Sequence, residues 1–339
     1  MNKHVIRRAV CLLLAAGLCM GTLISTDAAG EPGKLTITAP EDSTDKPQTA
    51  ASTLTPVAAP QNRIAELLYE MDLNEQQQEA VSARLGADAS LLQLLEQEEL
   101  TRADLVYLAL PNGRTDRLDR YNAWSADHPG DAAETVVLQV NMDRDQSFYS
   151  VTREAANPSS LTVLVNKHYA LSSGFVPELE VLGGSYGVGS MHPVAAAAFR
   201  AMADAAWKDG ISLRSVSAYR SYSTQKTLYN RYLGQDSRAS VDTYSARPGY
   251  SEHQTGLAVD INVASTGAHF ENTPAFAWLK AHCAEYGYIL RYNQGQDAIT
   301  GFRFEPWHYR YVGKEAAAAI TERGITYEEY VALQPVWGA

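Results

Sequence analysis

Ser251-Glu252-His253-Gln254-Thr255-Gly256-Leu257-Ala258-Val259-Asp260-Ile261-Asn262-Val263 passes from a polar loop into a run that alternates apolar and polar residues. Residues 257–263 have the period of two expected of a strand. His253 and Asp260 are seven residues apart, which on one continuous strand would place them on opposite faces. For the two to meet, His253 must lie on a loop before Gly256 that folds back over the strand carrying Asp260.

Residues 211–218, 288–292 and 307–312 read as further strands. An apolar helix is expected over 193–208, closed by Gly210, and a second over 224–233, before Gly234. Thr273 followed by Pro274 marks a third helix start, with an apolar pattern that runs to Tyr286 and stops at Gly287. Residues 135–141 and 161–165 are rich in β-branched side chains and also read as strands, leading into the core. Helices and strands mix without regular βαβ alternation and without internal repeats. The expected class is therefore α+β, a central, largely antiparallel sheet with flanking helices.

The N-terminal third is different. Lys3, Arg7 and Arg8 precede an apolar run over 9–24 and then small residues through Ala28, the pattern of an export signal, with an uncleaved membrane anchor as the alternative. Leu18 stands where an acylated Cys19 would want a small neighbour. Residues 29–61 are rich in Pro, Thr, Ser and Ala and read as a disordered linker. Over 62–134, Ile64, Leu67, Leu68, Met71, Leu91, Leu92, Leu94 and Leu95 recur at helical spacing, a small accessory segment expected to pack on the main domain. That main domain is expected over residues 135–339, with a core over about 161–315.

Of the 339 residues, 45% are hydrophobic and 20% charged, enough for a sizeable core. The formal net charge is −11, and −13 once residues 1–28 are removed. So acidic a chain lacks the basic surface that nucleic acid requires. Cys11 and Cys19 lie in the export segment, which leaves Cys283 alone and no intramolecular disulfide framework in the mature chain. Cys283 sits in an apolar helical pattern and reads as a buried structural thiol.

Three stretches concentrate chemistry: residues 217–225, residues 251–260, and Glu305-Pro306-Trp307-His308. A hydrolytic zinc site needs three ligands from His, Asp or Glu, an open position, and a carboxylate that can take a proton from water. Glu305 and His308, three apart, fail to share a strand face, but Pro306 breaks the ladder and lets Glu305 belong to the turn while His308 enters the strand. Arg220 suits a substrate carboxylate or an oxyanion. His128, His168, His192, His269 and His282 have no partner at ligand spacing.

These stretches resemble the zinc D-alanyl-D-alanine carboxypeptidase family, which includes the vancomycin-resistance-type enzymes and shares a fold with lysostaphin-type peptidases and hedgehog domains. The pattern Ser-x-His-x-x-Gly-x-Ala-x-Asp, then Glu-x-x-His, is complete as Ser251, His253, Gly256, Ala258, Asp260, Glu305 and His308. The likeness runs over roughly 141–312, and Arg220 and Gln225 match the family's Tyr-Arg-Ser-x-x-x-Gln stretch. It implies one Zn2+ per chain at the sheet, held by His253, Asp260 and His308. Glu305 is then the catalytic base, Arg220 a catalytic charge, and Ser251 and Gln225 are substrate-binding. The implied substrate is the C-terminal D-alanine of peptidoglycan stem peptides, cleaved by a monomer outside the cytoplasm, secreted or tethered. The alternatives are an L,D-carboxypeptidase acting on tetrapeptide stems, and a zinc-stabilised wall-binding module without turnover.

Overall fold

The computed structural model describes residues 60–262 and 269–336; the expected export signal, most of the linker and Val263 lie outside these residues. The described residues belong to one compact unit.

Six helices come first among the described residues: α1 (Pro60–Glu70), α2 (Glu75–Ala87), α3 (Ala89–Glu96), α4 (Arg102–Leu108), α5 (Leu118–Asp127) and α6 (Ala133–Asn141). Their starts reflect capping chemistry. Asn74 and Thr101 each form a capping box, and the Asp88 carboxylate accepts from the backbone N–H groups of Ser90 and Leu91. Ile64, Leu68, Val81, Leu85, Leu91, Leu95 and Leu105 bury against one another, so the leucine pattern makes a core of its own. Residues 135–141, expected as a strand, form α6 instead. Val136, Val137 and Val140 share one helical face that packs on Tyr107 and Tyr121, and this packing overrides the β preference of valine.

Next come two short strand pairs, β1 (Arg153–Glu154) with β2 (Tyr169–Ala170), and β3 (Glu180–Val181) with β4 (Ser190–Met191). Residues 161–165 are not a strand either. The carbonyls of Leu161 and Val163 accept from the Arg310 guanidinium, and that of Thr162 from the Tyr327 hydroxyl, which leaves no ladder for a neighbouring strand.

Helix α7 (Pro193–Lys208) starts with Pro at its first position and buries Ala195, Ala196, Phe199, Met202, Ala203 and Ala206 along one stripe. It lies in the same core as the central sheet, which is built from β5 (Arg214–Ser217), β6 (Ala258–Asn262), β7 (Tyr288–Leu290) and β8 (His308–Tyr311) in the order β5-β6-β8-β7, every pair antiparallel. Between these strands run α8 (Tyr222–Leu233), α9 (Arg238–Val241), α10 (Pro274–His282) and α11 (Asp297–Thr300). The pattern expected to reach Tyr286 as one helix tightens into a 3-10 turn at Cys283, and Gly287 then takes the left-handed conformation, φ 81°, that ends it. Helices α12 (Lys314–Arg323) and α13 (Tyr327–Ala332) close the fold. Among the described residues no helix is long and apolar enough to cross a membrane.

Candidate metal centre and catalytic pocket

Strands β6 and β8 are neighbours, and their register sets Asp260 directly opposite His308. Residues opposed in this way project to the same face. His253 lies on a 3-10 turn, Glu252–Thr255, that folds back over this face and ends at Gly256 in the left-handed conformation with φ 71°. A Cβ on Gly256 would sit 3.0 Å from the His192 backbone nitrogen and 3.3 Å from Leu179, so the return of the loop requires glycine.

The His253 Nδ1 lies 2.7 Å from the Ala218 carbonyl oxygen and therefore carries the proton it donates, which leaves Nε2 with a free lone pair 3.3 Å from Asp260 Oδ2. His308 Nδ1 is 3.1 Å from Asp260 Oδ1, and its Nε2 is 3.3 Å from Glu252 Oε2. One ligand atom from each of His253, Asp260 and His308 lies within 4.8 Å of the others. Two imidazole nitrogens and a carboxylate oxygen are the donor set of a catalytic zinc. The electrostatics fit a cation as well. Burial disfavours charge on His308, yet its hydrogen bonds to Asp260 and Glu252 outweigh that and hold its pKa at about 9. Burial also acts against charge on Asp260, but His253 and His308 keep its carboxyl well below the usual range. A position that binds a proton so firmly suits a metal ion.

Glu305 precedes β8, as the break at Pro306 predicts, with Oε2 3.9 Å from His308 Nδ1. Burial pushes its carboxyl up to about 7, where it can accept and return a proton near neutral pH. Arg220 leaves the end of β5, where its backbone N–H donates to the His253 carbonyl. Its guanidinium donates to Gln225 Oε1 and Ser217 Oγ, both at 2.8 Å, and lies 3.7 Å from Asp260 Oδ2. Gln225 is buried on α8, and its amide nitrogen donates to the Ala246 carbonyl and the Ser245 hydroxyl. Gln225 thus orients Arg220. Ser251 is buried immediately before the His253 turn and lines the same cavity, of about 490 Å³, as His253, Asp260, His308, Glu305, Arg220 and Gln225. Tyr232, Tyr244, Arg303 and Trp307 add to its wall. Cys283 is in the apolar core, where burial pushes its thiol up to about 12.

Four charged residues escaped the sequence reading. Glu252, Arg291, Arg310 and Glu328 are all buried. Glu252 Oε1 accepts from Arg291 Nε at 2.9 Å and Arg310 Nη1 at 3.0 Å, while its Oε2 faces His308. One of the four was within reach of the sequence, since Arg310 stands two residues after His308 on the same strand and must share its face.

A family model described as D-alanyl-D-alanine carboxypeptidase, VanY, matches residues 189–314. The chain is 38% identical over 187 residues to the putative carboxypeptidase YodJ of Bacillus subtilis, covering 51% of this chain and 68% of that protein. It is 35% identical over 179 residues to a D-alanyl-D-alanine carboxypeptidase of Enterococcus faecalis, covering 50% of this chain and 65% of the relative. The chain thus spans about two thirds of the length of these curated relatives. Among solved structures, the LdcB LD-carboxypeptidase superposes with a TM-score of 0.50 at 35% identity, over 55% of this chain and 91% of LdcB.

Proposed function

From the premise that this chain belongs to the VanY family of D-alanyl-D-alanine carboxypeptidases, we propose that it hydrolyses the C-terminal D-alanine of peptidoglycan stem peptides with one zinc ion. The observation that carries this reading is a buried carboxyl, Glu305, tuned to about 7 beside a His-Asp-His donor set.

His253 through Nε2, Asp260, and His308 through Nδ1 would hold the metal. When bound, zinc supplies Lewis acidity, acidifying water and polarising a carbonyl. Glu305 takes the proton of the attacking water and returns it to the amine of the departing D-alanine. Arg220, always charged and held by Gln225 and Ser217, pairs with the terminal carboxylate of the substrate and fixes which bond lies beside Glu305. The Ser251 hydroxyl donates to the substrate within the same cavity. The enzyme acts as a monomer outside the cytoplasm, where its substrate is. Residues 1–28, outside the described residues, direct it there, and cell fractionation that finds the full chain in the cytosol would refute that placement.

The decisive experiment incubates the zinc-loaded protein with a pentapeptide ending in D-Ala-D-Ala and with the matching tetrapeptide, with and without chelator, and reads released D-alanine by mass. Chelator-sensitive release from the pentapeptide is expected. Release from the tetrapeptide alone makes it an L,D-carboxypeptidase, and release from neither, with zinc bound, makes it a binding module.

A further inference from the structure

Behind the metal site lies a chain of buried charges that reaches the last helix. Arg291 meets Glu252 with Nε and grips Glu328 with both terminal nitrogens, Nη1 to Oε2 at 2.9 Å and Nη2 to Oε1 at 2.6 Å. The Arg291 side chain is 0% exposed, that of Glu252 0% and that of Glu328 2%, so water cannot replace any of these contacts. Two carboxylates and two guanidiniums, Arg291 and Arg310, balance in charge. This leaves Glu252 Oε2 to accept from His308 Nε2.

We propose that Glu328 on α13 is a positioning residue for His308, acting through Arg291 and Glu252. With the Nδ1 lone pair given to a metal, the carboxylate of Glu252 would accept the remaining proton at Nε2 and so hold the ring with Nδ1 toward Asp260 and His253. Arg291 holds that carboxylate in place, and Glu328 holds Arg291 by a two-pronged grip that fixes the plane of the guanidinium. Without Glu328, the freed charge of Arg291 falls on Glu252 alone and competes with His308 for it. The accessory helices take part in the same arrangement. Asn112, after α4, and Asn141, at the end of α6, both donate to the Ala332 carbonyl at the end of α13, and Asn166 donates to Glu328 Oε1. Glu328 lies beyond residues 189–314, the span matched by the family model, so its part in the site comes from a segment outside that span.

This inference rests on His308 as a metal ligand, and the test separates the two. Zinc affinity is measured by competition with a chelating dye on folded full-length protein, for the parent, Glu252→Gln, Glu328→Gln and the double variant. The ring N–H proton resonance of His308 is recorded in parallel. Glu252→Gln is expected to weaken zinc about 10- to 100-fold and Glu328→Gln about 10-fold, the range typical of lost outer-shell partners. The double variant should be no weaker than Glu252→Gln, and in the zinc-loaded protein the Nε2–H proton resonance of His308 should move upfield in each as its hydrogen bond to residue 252 weakens. Parent-like zinc affinity in Glu328→Gln, or losses that multiply in the double variant, would overturn the relay while leaving the ligand assignment standing. Failure of the parent to bind zinc would remove both. If Glu328→Gln does not fold, Glu328→Asp keeps the charge but withdraws the grip, and is read the same way.

Discussion

The two faces of the central sheet are made of the same strands and different physics. On β6 and β8, Val259, Ile261, Tyr309 and Tyr311 turn into the apolar core beside Phe199 and Met202 of α7. On the other face, Asp260, His308 and Arg310 meet Glu252 and His253. The first face is stabilised by removing apolar area from water, which is non-directional and tolerant of modest change. The second holds charges out of water, where each is stable only while its partners stay within hydrogen-bond distance. Stability on one side therefore depends on volume, and function on the other depends on geometry.

The sharpest way to separate the faces is Glu305→Gln. On the proposed mechanism it removes the proton carrier and leaves the ligands, so D-alanine release should fall about 10²- to 10⁴-fold while metal analysis still finds zinc. Unchanged turnover would remove Glu305 from the mechanism. Next in size is a matched pair. Arg310→Ala leaves Glu252 short of a buried partner and should cost about 3–5 kcal/mol in denaturant unfolding, with weaker zinc binding. Phe199→Ala should cost a similar about 3–5 kcal/mol yet leave the zinc affinity of the folded protein unchanged. Equal effects of both on zinc would dissolve the distinction between the faces.

A pH scan of the metal-free protein sharpens the comparison further. Glu305 is raised from 4.5 to about 7 and His308 from 6.5 to about 9. Each is more protonated in the folded than in the unfolded chain, so its stabilising contribution is complete below the unfolded value and is lost as pH rises through the folded one. The buried His253 and His168, whose pKa values are lowered, act in the opposite sense below about pH 6.5, so the effect is read as a difference: the thermal stability of the parent relative to Glu305→Gln should fall as pH rises from about 4.5 to 7 and level off above that. A pH-independent difference between the two proteins would contradict the burial of Glu305. The smallest effect belongs to the apolar face, where Ile261→Val should cost only about 0.5–1.5 kcal/mol, with catalysis intact.

Much of the sheet and of the site is legible from local pattern. The helix Pro193–Lys208 has the bounds that its Pro start and apolar stripe predict, and the strand around Asp260 obeys its alternation. Residues 135–141 and 161–165 mislead because β-branched composition is only a preference. Packing on Tyr107 and Tyr121 decided the first, and carbonyls taken by Arg310 and Tyr327 decided the second. Ser251 and Gln225 both line the pocket, but the role of Gln225 shows only in its contacts, which are with Arg220 and the loop at Ala246.

By itself the sequence determined which residues could hold a metal, because ligand chemistry resides in residue type and short spacing: a histidine on a turn closed by Gly256, an aspartate on a strand, and a glutamate and histidine separated by Pro306. That Asp260 faces His308, 48 residues away, and that Glu252 and Glu328 share Arg291 behind them, follows from the folded chain alone. Strand register and buried charge pairing join segments far apart in the chain. Such contacts leave no periodic trace, because each is selected by the requirement that a polar group removed from water find its partner.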